Sequence, residues 1–162
     1  ALLADVLEAH GLAPLASYQL EHHRLGAAAP EALRERLLTS YQGVVNDNVL
    51  KLVTLRRILR SVGDVRVVFL EAAAYVDWLY LHLAFRPLGD VRLAVAGADG
   101  SRFAERVKGD LTLARTEHGG RSAAFTDGTV TVAIQGGLWP GGPPDVPLFE
   151  RGQPYRAFDH SA

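Results

Sequence analysis

The sequence predicts an α+β fold, in which helices occupy the first part of the chain and a small mixed β-sheet follows them. Residues 30–62 repeat apolar side chains every three or four positions, which is the period of one long helix. Residues 65–70 and 90–96 are short, apolar and rich in β-branched side chains, which favours strands. Between residues 111 and 135, alternating segments are separated by pairs that contain glycine, which indicates antiparallel strands.

The composition is that of one ordinary globular domain. The chain has 162 residues, of which 48% are hydrophobic, and a chain of this length can bury roughly 70% of its unfolded surface. We therefore expect a single domain over residues 1–162. Within it we expect a helical part at 1–63, a sheet core at 64–138 and a Gly/Pro-rich tail at 139–162.

Charge and composition exclude several classes of protein. The net charge of −1 gives no field that attracts nucleic acid or an anionic membrane, so we expect neither as a partner. The absence of cysteine excludes disulfides and thiolate metal sites. No apolar run reaches the roughly 20 residues of a membrane span, and no basic flank marks a signal peptide, so we expect a cytoplasmic protein. Because the chain lacks Met even at position 1, we expect a trimmed segment.

The helical part contains two short helices and one long one. Residues 2–10 and 15–23 have short amphipathic patterns. The long helix is expected over residues 30–62, since Pro30 suits the first helical turn. Residues 46–48 read Asn-Asp-Asn and are the weakest point of this helix by propensity, so the helix could bend there.

A strand, a helix and a second strand come next. Residues 65–70 have the pattern of a strand that is covered on both faces. Residues 72–84 return to a helical period, and Pro87 ends that helix because proline disfavours helical geometry at the residue before it. Residues 90–96 form the second strand, with alternate side chains on opposite faces.

The remaining chain predicts three antiparallel strands and a terminal loop. We expect these strands at residues 111–118, 122–126 and 129–135, with a short helix before them at residues 103–108. The pairs Gly119-Gly120 and Asp127-Gly128 suit two-residue hairpin turns. Residues 136–147 are rich in Gly and Pro and indicate a loop, and residues 149–158 suit a short edge element.

The segment at residues 65–96 resembles a known family, the uncharacterised nucleotidyltransferases of the DNA polymerase beta-like superfamily. Members carry Lys-Gly after the first strand and Arg-Pro-x-x-Asp-hydrophobic-Asp at the second. Here Arg86, Pro87 and Asp90 match that pattern. The pair that begins with Glu71 stands where Lys-Gly is expected, and Arg92 replaces the second Asp. The resemblance extends to residues 2–19 and 130–138, and thus covers most of the chain.

The resemblance implies a sheet of nucleotidyltransferase type and a two-metal active site. In such a site, carboxylates on adjacent strands hold two divalent ions about 3.5–4 Å apart. Asp90 keeps the first of these positions, Arg92 takes the second, and Ala133 takes the third by alignment of residues 130–138. We expect these positions and Glu71 to share one face of the sheet, where Asp90 could also pair with Arg92.

Electrostatics predicts that this site has lost its metal. A guanidinium about 4 Å from a divalent ion is repelled by roughly 8 kcal/mol at an effective dielectric constant of 20. One Glu and one Asp beside an Arg make a poor cage for magnesium, and Glu71 would repel a phosphate that the family's Lys would hold. We therefore assign no catalytic residue and no metal ligand, and treat Glu71, Asp90, Arg92 and Ala133 as degenerate site positions.

A structural role competes with each candidate residue. Asp90 follows a glycine and is typical of a turn or strand cap. Arg86 is the one candidate for substrate binding, but an ion pair or a bond to a carbonyl is the favoured explanation of this residue. His82 lies in no spacing that marks a zinc site. A basic group on the long helix is typical of a solvated face; it contains Lys51, Arg56, Arg57 and Arg60.

The sequence leads to one functional hypothesis and two alternatives. The first is a nucleotidyltransferase-fold protein without activity or cofactor, which binds an unidentified protein or small molecule as a binding or scaffold module. The alternative is an active magnesium-dependent nucleotidyltransferase that uses Asp90, Glu71 and an acid outside this segment. The third is a purely structural domain of a larger assembly. Fold alone does not decide among them.

Overall fold

The computed structural model describes residues 2–75, 82–117, 122–135 and 149–150. The described residues divide into two compact units. The first, here called the helical unit, comprises residues 2–50 and 82–88; the second, the sheet unit, comprises the described residues of 51–77 and 89–162. The expectation of a single domain with three parts stays a prediction. None of the helices in the described part of the chain is long and apolar enough to cross a membrane.

Three helices form most of the helical unit, as predicted. Helix α1 is Leu2–Ala9, α2 is Ala13–His22, and α3 begins at Glu31. A single 3-10 turn, Gly26–Ala28, lies between α2 and α3. Helix α2 begins two residues before the predicted start because Pro14 fits its first turn, where the missing N–H has no helical partner to lose.

Helix α3 runs without a break over Glu31–Val62, 32 residues that span about 48 Å. The prediction of one long helix is therefore confirmed, and residues 46–48 do not interrupt it. Residues 31–50 of α3 belong to the helical unit, and residues 51–62 belong to the sheet unit.

The sheet unit contains five strands in a mixed sheet, which confirms the α+β prediction. The strands are β1 Val67–Leu70, β2 Val91–Val95, β3 Thr112–Glu117, β4 Ser122–Thr126 and β5 Thr131–Gln135. Their order is β1-β2-β5-β4-β3, in which β2 and β5 are parallel and the other neighbours are antiparallel. The prediction that the last three strands pair antiparallel is confirmed.

Two helices accompany this sheet. Helix α4 is Glu71–Tyr75, and α5 is Gly100–Val107. Helix α5 begins three residues earlier than predicted because a 3-10 turn at Gly97–Asp99 leads directly into it. In the helical unit, Leu83–Phe85 is a 3-10 turn, where the sequence predicted the end of an α-helix.

Some predictions fall on residues that the structure does not describe. They concern residues 76–81 of the predicted 72–84 helix, the turn at Gly119-Gly120, the loop at residues 136–147 and most of the edge element at residues 149–158. Residues 149–150 are helical, and the rest of that predicted element lies outside the described residues.

The connection between β4 and β5 is longer than predicted. Four residues, 127–130, lie between the paired strand ends, where the sequence predicted a two-residue turn. The side chain of Asp127 explains the difference, because its Oδ1 accepts hydrogen bonds from the backbone N–H of Thr129 (3.0 Å) and of Val130 (2.9 Å). Gly128 takes a positive φ of 90° within this turn.

The core of the sheet unit joins α3 to the sheet. Leu55 and Ile58 of α3 are fully buried, and Phe103 of α5 packs edge to face on Phe125 of β4 with ring centroids 6.1 Å apart. The same cluster contains alternate residues of the central strands β2 and β5, which are Val91, Leu93, Val95, Val132 and Ile134. One face of β2 and β5 is therefore fixed in the core.

Ion pairs hold the last turns of α3 beside the sheet. Arg57 reaches Asp110 with Nε (3.2 Å to Oδ1) and Asp127 with Nη2 (2.9 Å to Oδ2). Ser61 donates a hydrogen bond to Asp110. Hydrogen bonds from the backbone of Val130 and Thr129, with the Arg57 guanidinium, hold the pKa of Asp127 below its usual range. Arg57 of the predicted basic group is thus part of a structural network.

The end of α3 is fixed by a second network and by a glycine. Arg106 donates through Nη1 to the carbonyl oxygen of Val62 (3.1 Å) and pairs through Nη2 with Asp64 (2.8 Å), which Arg102 also contacts (2.6 Å). Gly63 has a φ of +60°, and a Cβ there would lie 2.6 Å from Arg106 Nη1. The positive φ favours glycine at this position, and a Cβ there would also displace the end of the Arg106 side chain from the Val62 carbonyl.

We expect the substitution Leu55→Ala to lower the free energy of unfolding by about 2–5 kcal/mol, because it leaves a cavity in the core. Leu50→Ala is a matched control on the same helix, since Leu50 is 51% exposed and Leu55 is 0% exposed. Urea unfolding followed by circular dichroism measures both. Equal losses in the two variants would contradict the assignment of the core.

We expect the stabilisation by Asp127 to depend on pH. Its pKa is lowered from 3.8 in the folded state, so its contribution is full above pH 4 and is lost as pH falls through the folded pKa. Urea midpoints of wild type and Asp127→Asn should therefore differ at pH 6 and converge towards pH 2. Asp90→Asn, which removes an exposed carboxylate, is the control. A difference between wild type and Asp127→Asn that does not change with pH would contradict this prediction.

Candidate functional site

Strand register brings two of the candidate positions together. Arg92 of β2 lies directly beside Ala133 of the parallel strand β5, and it lies opposite Leu70 of the antiparallel strand β1. Residues paired in this way point to the same face of a sheet. Both Arg92 and Ala133 are half-buried, whereas Val91 and Val132 beside them are fully buried in the core. The second and third positions of the site thus share the face opposite the core.

Glu71 follows β1 directly and contacts Arg92. Its backbone has a φ of +55°, a left-handed conformation that is uncommon for a residue other than glycine. Arg92 Nη1 lies 3.2 Å from Glu71 Oε1. The two side chains are 38% and 61% exposed, so this pair contributes at most about 1 kcal/mol to stability. The ion pair nevertheless neutralises the charge of the Glu71 carboxylate.

Asp90 lies just before β2, two residues from Arg92, and is exposed. No ion pair with the Asp90 carboxylate is found among the described residues, and Arg92 pairs with Glu71 in place of Asp90. The sequence had allowed the pairing of Asp90 with Arg92. The structure favours Glu71 because the antiparallel pairing of β1 with β2 places Leu70, the residue before it, opposite Arg92.

Among the described residues, the donor set at this face does not fit a magnesium ion. Its members are one exposed carboxylate at Asp90, one carboxylate engaged by a guanidinium at Glu71, the guanidinium itself, and the methyl group of Ala133. Magnesium requires octahedral oxygen coordination and loses its waters reluctantly. No group of three or more His, Cys, Asp or Glu side chains that could hold a metal ion occurs within the described residues. These residues can form hydrogen bonds and ion pairs, but the described ones do not form a set of metal ligands.

Arg86 belongs to the helical unit and is exposed. The buried side chain of Asn48 holds its backbone. Asn48 Nδ2 donates to the carbonyl oxygens of Leu83 (2.6 Å) and Arg86 (2.9 Å), and Asn48 Oδ1 accepts from the backbone N–H of Leu88 (3.0 Å). Three hydrogen bonds from one amide thereby fix residues 83–88, the segment that carries the Arg-Pro pair.

Sequence reasoning missed this role of Asn48. It treated residues 46–48 as a local weakness of the helix. The signal that could have revealed Asn48 is its position on the apolar stripe of α3, between Val45 and Leu52. An amide at such a position is buried, and a buried amide needs hydrogen-bond partners. Asn48 is 0% exposed, whereas Asn46 is exposed.

His82 is half-buried within a group of aromatic rings. Its Nδ1 accepts a hydrogen bond from the backbone N–H of Ala84 (3.2 Å), and its Nε2 lies 3.1 Å from the hydroxyl of Tyr41. Its ring lies 5.6 Å from that of Phe85 and 6.0 Å from that of Tyr18. These contacts cap the 3-10 turn at Leu83–Phe85 and give His82 a structural role.

Comparison with known proteins gives one match. A family model described as an uncharacterised nucleotidyltransferase matches residues 1–158 of the chain. No curated protein and no solved structure matches it.

We expect Asn48→Ala to lower the free energy of unfolding by about 1–3 kcal/mol, since it leaves the buried N–H of Leu88 and two carbonyl oxygens without their partner. Asn46→Ala, at an exposed position of the same helix, is the matched control and should change stability by less than about 0.5 kcal/mol. Thermal unfolding measures both variants. An Asn48→Ala protein as stable as the control would refute the proposed role of the amide.

Proposed function

The chain belongs to the uncharacterised nucleotidyltransferase family, and we propose that it no longer transfers nucleotides and acts as a binding or scaffold module. The observation that carries this proposal is the pairing of Arg92 with Glu71 on the face where Arg92 lies beside Ala133. A family member that binds magnesium would need carboxylates at the positions of Arg92 and Ala133.

The sign of the charges supports the proposal. The four site positions have two carboxylates and one guanidinium. A divalent ion about 4 Å from Arg92 would be repelled by roughly 8 kcal/mol at an effective dielectric constant of 20. The carboxylate of Glu71 is engaged by the same guanidinium, which leaves Asp90 to attract the ion. We therefore propose that the protein has no resident cofactor. We also propose that it resides in the cytoplasm and binds an unidentified protein or small molecule.

One observation favours the alternative, an active magnesium-dependent nucleotidyltransferase. Asp90 keeps its carboxylate exposed, and no ion pair within the described residues occupies it. Arg86, held by Asn48, would then be the candidate for substrate binding. This alternative uses Asp90 together with Glu71 and requires a further acid from outside this segment.

We expect the wild-type protein to show no nucleotidyl transfer and no magnesium-dependent binding of any of the four nucleoside triphosphates. Calorimetric titration with each triphosphate, with and without magnesium, measures binding, and labelled triphosphates measure transfer. Arg92→Asp alone should not restore either property, because Ala133 still lacks a carboxylate. The double variant Arg92→Asp with Ala133→Asp should gain magnesium binding, since it removes the repulsion and adds two acidic ligands.

Two outcomes would contradict the proposal. The first is magnesium-dependent transfer by the wild-type protein that Asp90→Ala abolishes, which would establish the alternative. The second is tight magnesium binding by the wild-type protein that Arg92→Asp leaves unchanged, because the guanidinium would then not control the site.

A further inference from the structure

A groove lies between α2 and α3 of the helical unit and involves none of the residues of the sheet face. Its volume is about 190 Å³, which is large enough for several water molecules. Three carboxylates, one guanidinium, one hydroxyl and two leucines line it. These residues are Ser17, Leu20 and Glu21 of α2 and Glu31, Arg34, Glu35 and Leu38 of α3.

Ser17 contributes a nearly buried hydroxyl to this groove. Ser17 is 6% exposed and lines the groove together with Leu20 and Glu21, which lie three and four residues further along the same helical face. No hydrogen bond to the Ser17 hydroxyl is formed by any described residue. A ligand with a hydrogen-bonding group would therefore find an available polar partner in the lining of the groove.

The acidic residues of the groove are not neutralised by its own arginine. The Arg34 side chain lies beside Gly26, where its Nη1 is 3.7 Å from the position that a Cβ would take. Within the described residues no ion pair joins Arg34 to the three carboxylates. Arg36 on the same helix behaves differently and pairs with Asp5 at 2.7 Å. Three carboxylates and one guanidinium leave the groove with a formal charge of −2.

The three carboxylates of the groove are too far apart to coordinate one metal ion together. No set of three described acidic or imidazole side chains could hold a metal ion, because divalent ions need several oxygens within about 2.0–2.6 Å. An alkylammonium group has weaker geometric demands and three donors that rotate freely. Its hydrocarbon chain would contact Leu20 and Leu38, of which Leu38 is 46% exposed.

We propose that this groove binds a small aliphatic amine, with ammonium groups beside Glu31, Glu35 and Glu21 and an alkyl chain along the two leucines. A diamine of four carbons has six non-hydrogen atoms and suits the volume of the groove. For a ligand of this size in a partly open site, a dissociation constant on the order of 0.1–1 mM is expected. Binding should weaken as salt is added, because exposed charges attract it.

The test is a titration of the full chain with 1,4-diaminobutane, followed by backbone amide NMR shifts. The expected result is saturable shifts at residues 17–38. 1,4-Butanediol, which has the same chain length without charge, should cause no saturable shift. A third titration uses magnesium chloride at the same ionic strength. The amide spectrum also reports whether each variant is folded.

Matched variants assign the binding to this groove. Glu31→Gln with Glu35→Gln should weaken diamine binding by about tenfold or more, because two charge-assisted hydrogen bonds are removed. Ser17→Ala should weaken it by a smaller factor. Glu105→Gln, which removes an exposed carboxylate of the sheet unit, should leave it unchanged.

Three results would overturn the proposal. They are the absence of saturable shifts with the diamine, equal shifts with butanediol, and magnesium that saturates the same amides and displaces the diamine. None of these results bears on the proposal for the sheet face, which is tested by triphosphate binding and transfer.

Discussion

Burial of the apolar face of α3 is the interaction on which the rest of the structure depends. Leu55, Ile58 and Val62 are at most 1% exposed and pack in the core of the sheet unit. Burial of each such side chain contributes about 1.5–3 kcal/mol. Most of the stability of a helix in a protein comes from such packing rather than from propensity. That is why Asn-Asp-Asn at residues 46–48 does not break α3.

Polar side chains at the edges of this packing determine local geometry. Asn48 fixes residues 83–88 by three hydrogen bonds in the helical unit, and Arg57 pairs with Asp110 and Asp127 in the sheet unit. In both places a polar side chain bonds to a segment distant in sequence. Removal of the buried Asn48 amide would leave its partners desolvated without compensation, which costs more than the bonds contribute when they are formed. The Arg57 side chain is 48% exposed, so loss of one of its partners is compensated by water.

The sheet face that carries Arg92 and Ala133 is built from ordinary strand pairing. Register places Arg92 beside Ala133, and the residue that follows β1, Glu71, reaches the guanidinium. The side chains at these positions therefore determine the chemistry of the face, and the strand pairing determines its geometry. The groove between α2 and α3 differs in its charge, since it has three carboxylates and one guanidinium. No ion pair within the described residues engages these carboxylates. The fold of this chain therefore does not determine the chemistry of its surfaces, as is true of most common folds.

The sequence by itself determined the elements whose signals are local. The 3.6-residue period predicted α3, and the alternating segments between residues 111 and 135 predicted three antiparallel strands. The identities of Arg92 and Ala133 were also visible, since they need no coordinates. What the tertiary structure decided depends on contacts between distant segments. The order β1-β2-β5-β4-β3 brings Arg92 beside Ala133 and gives it Glu71 as its partner. The burial of Asn48 and the four-residue turn at Asp127 follow from side chains that satisfy backbone groups, which no local period encodes.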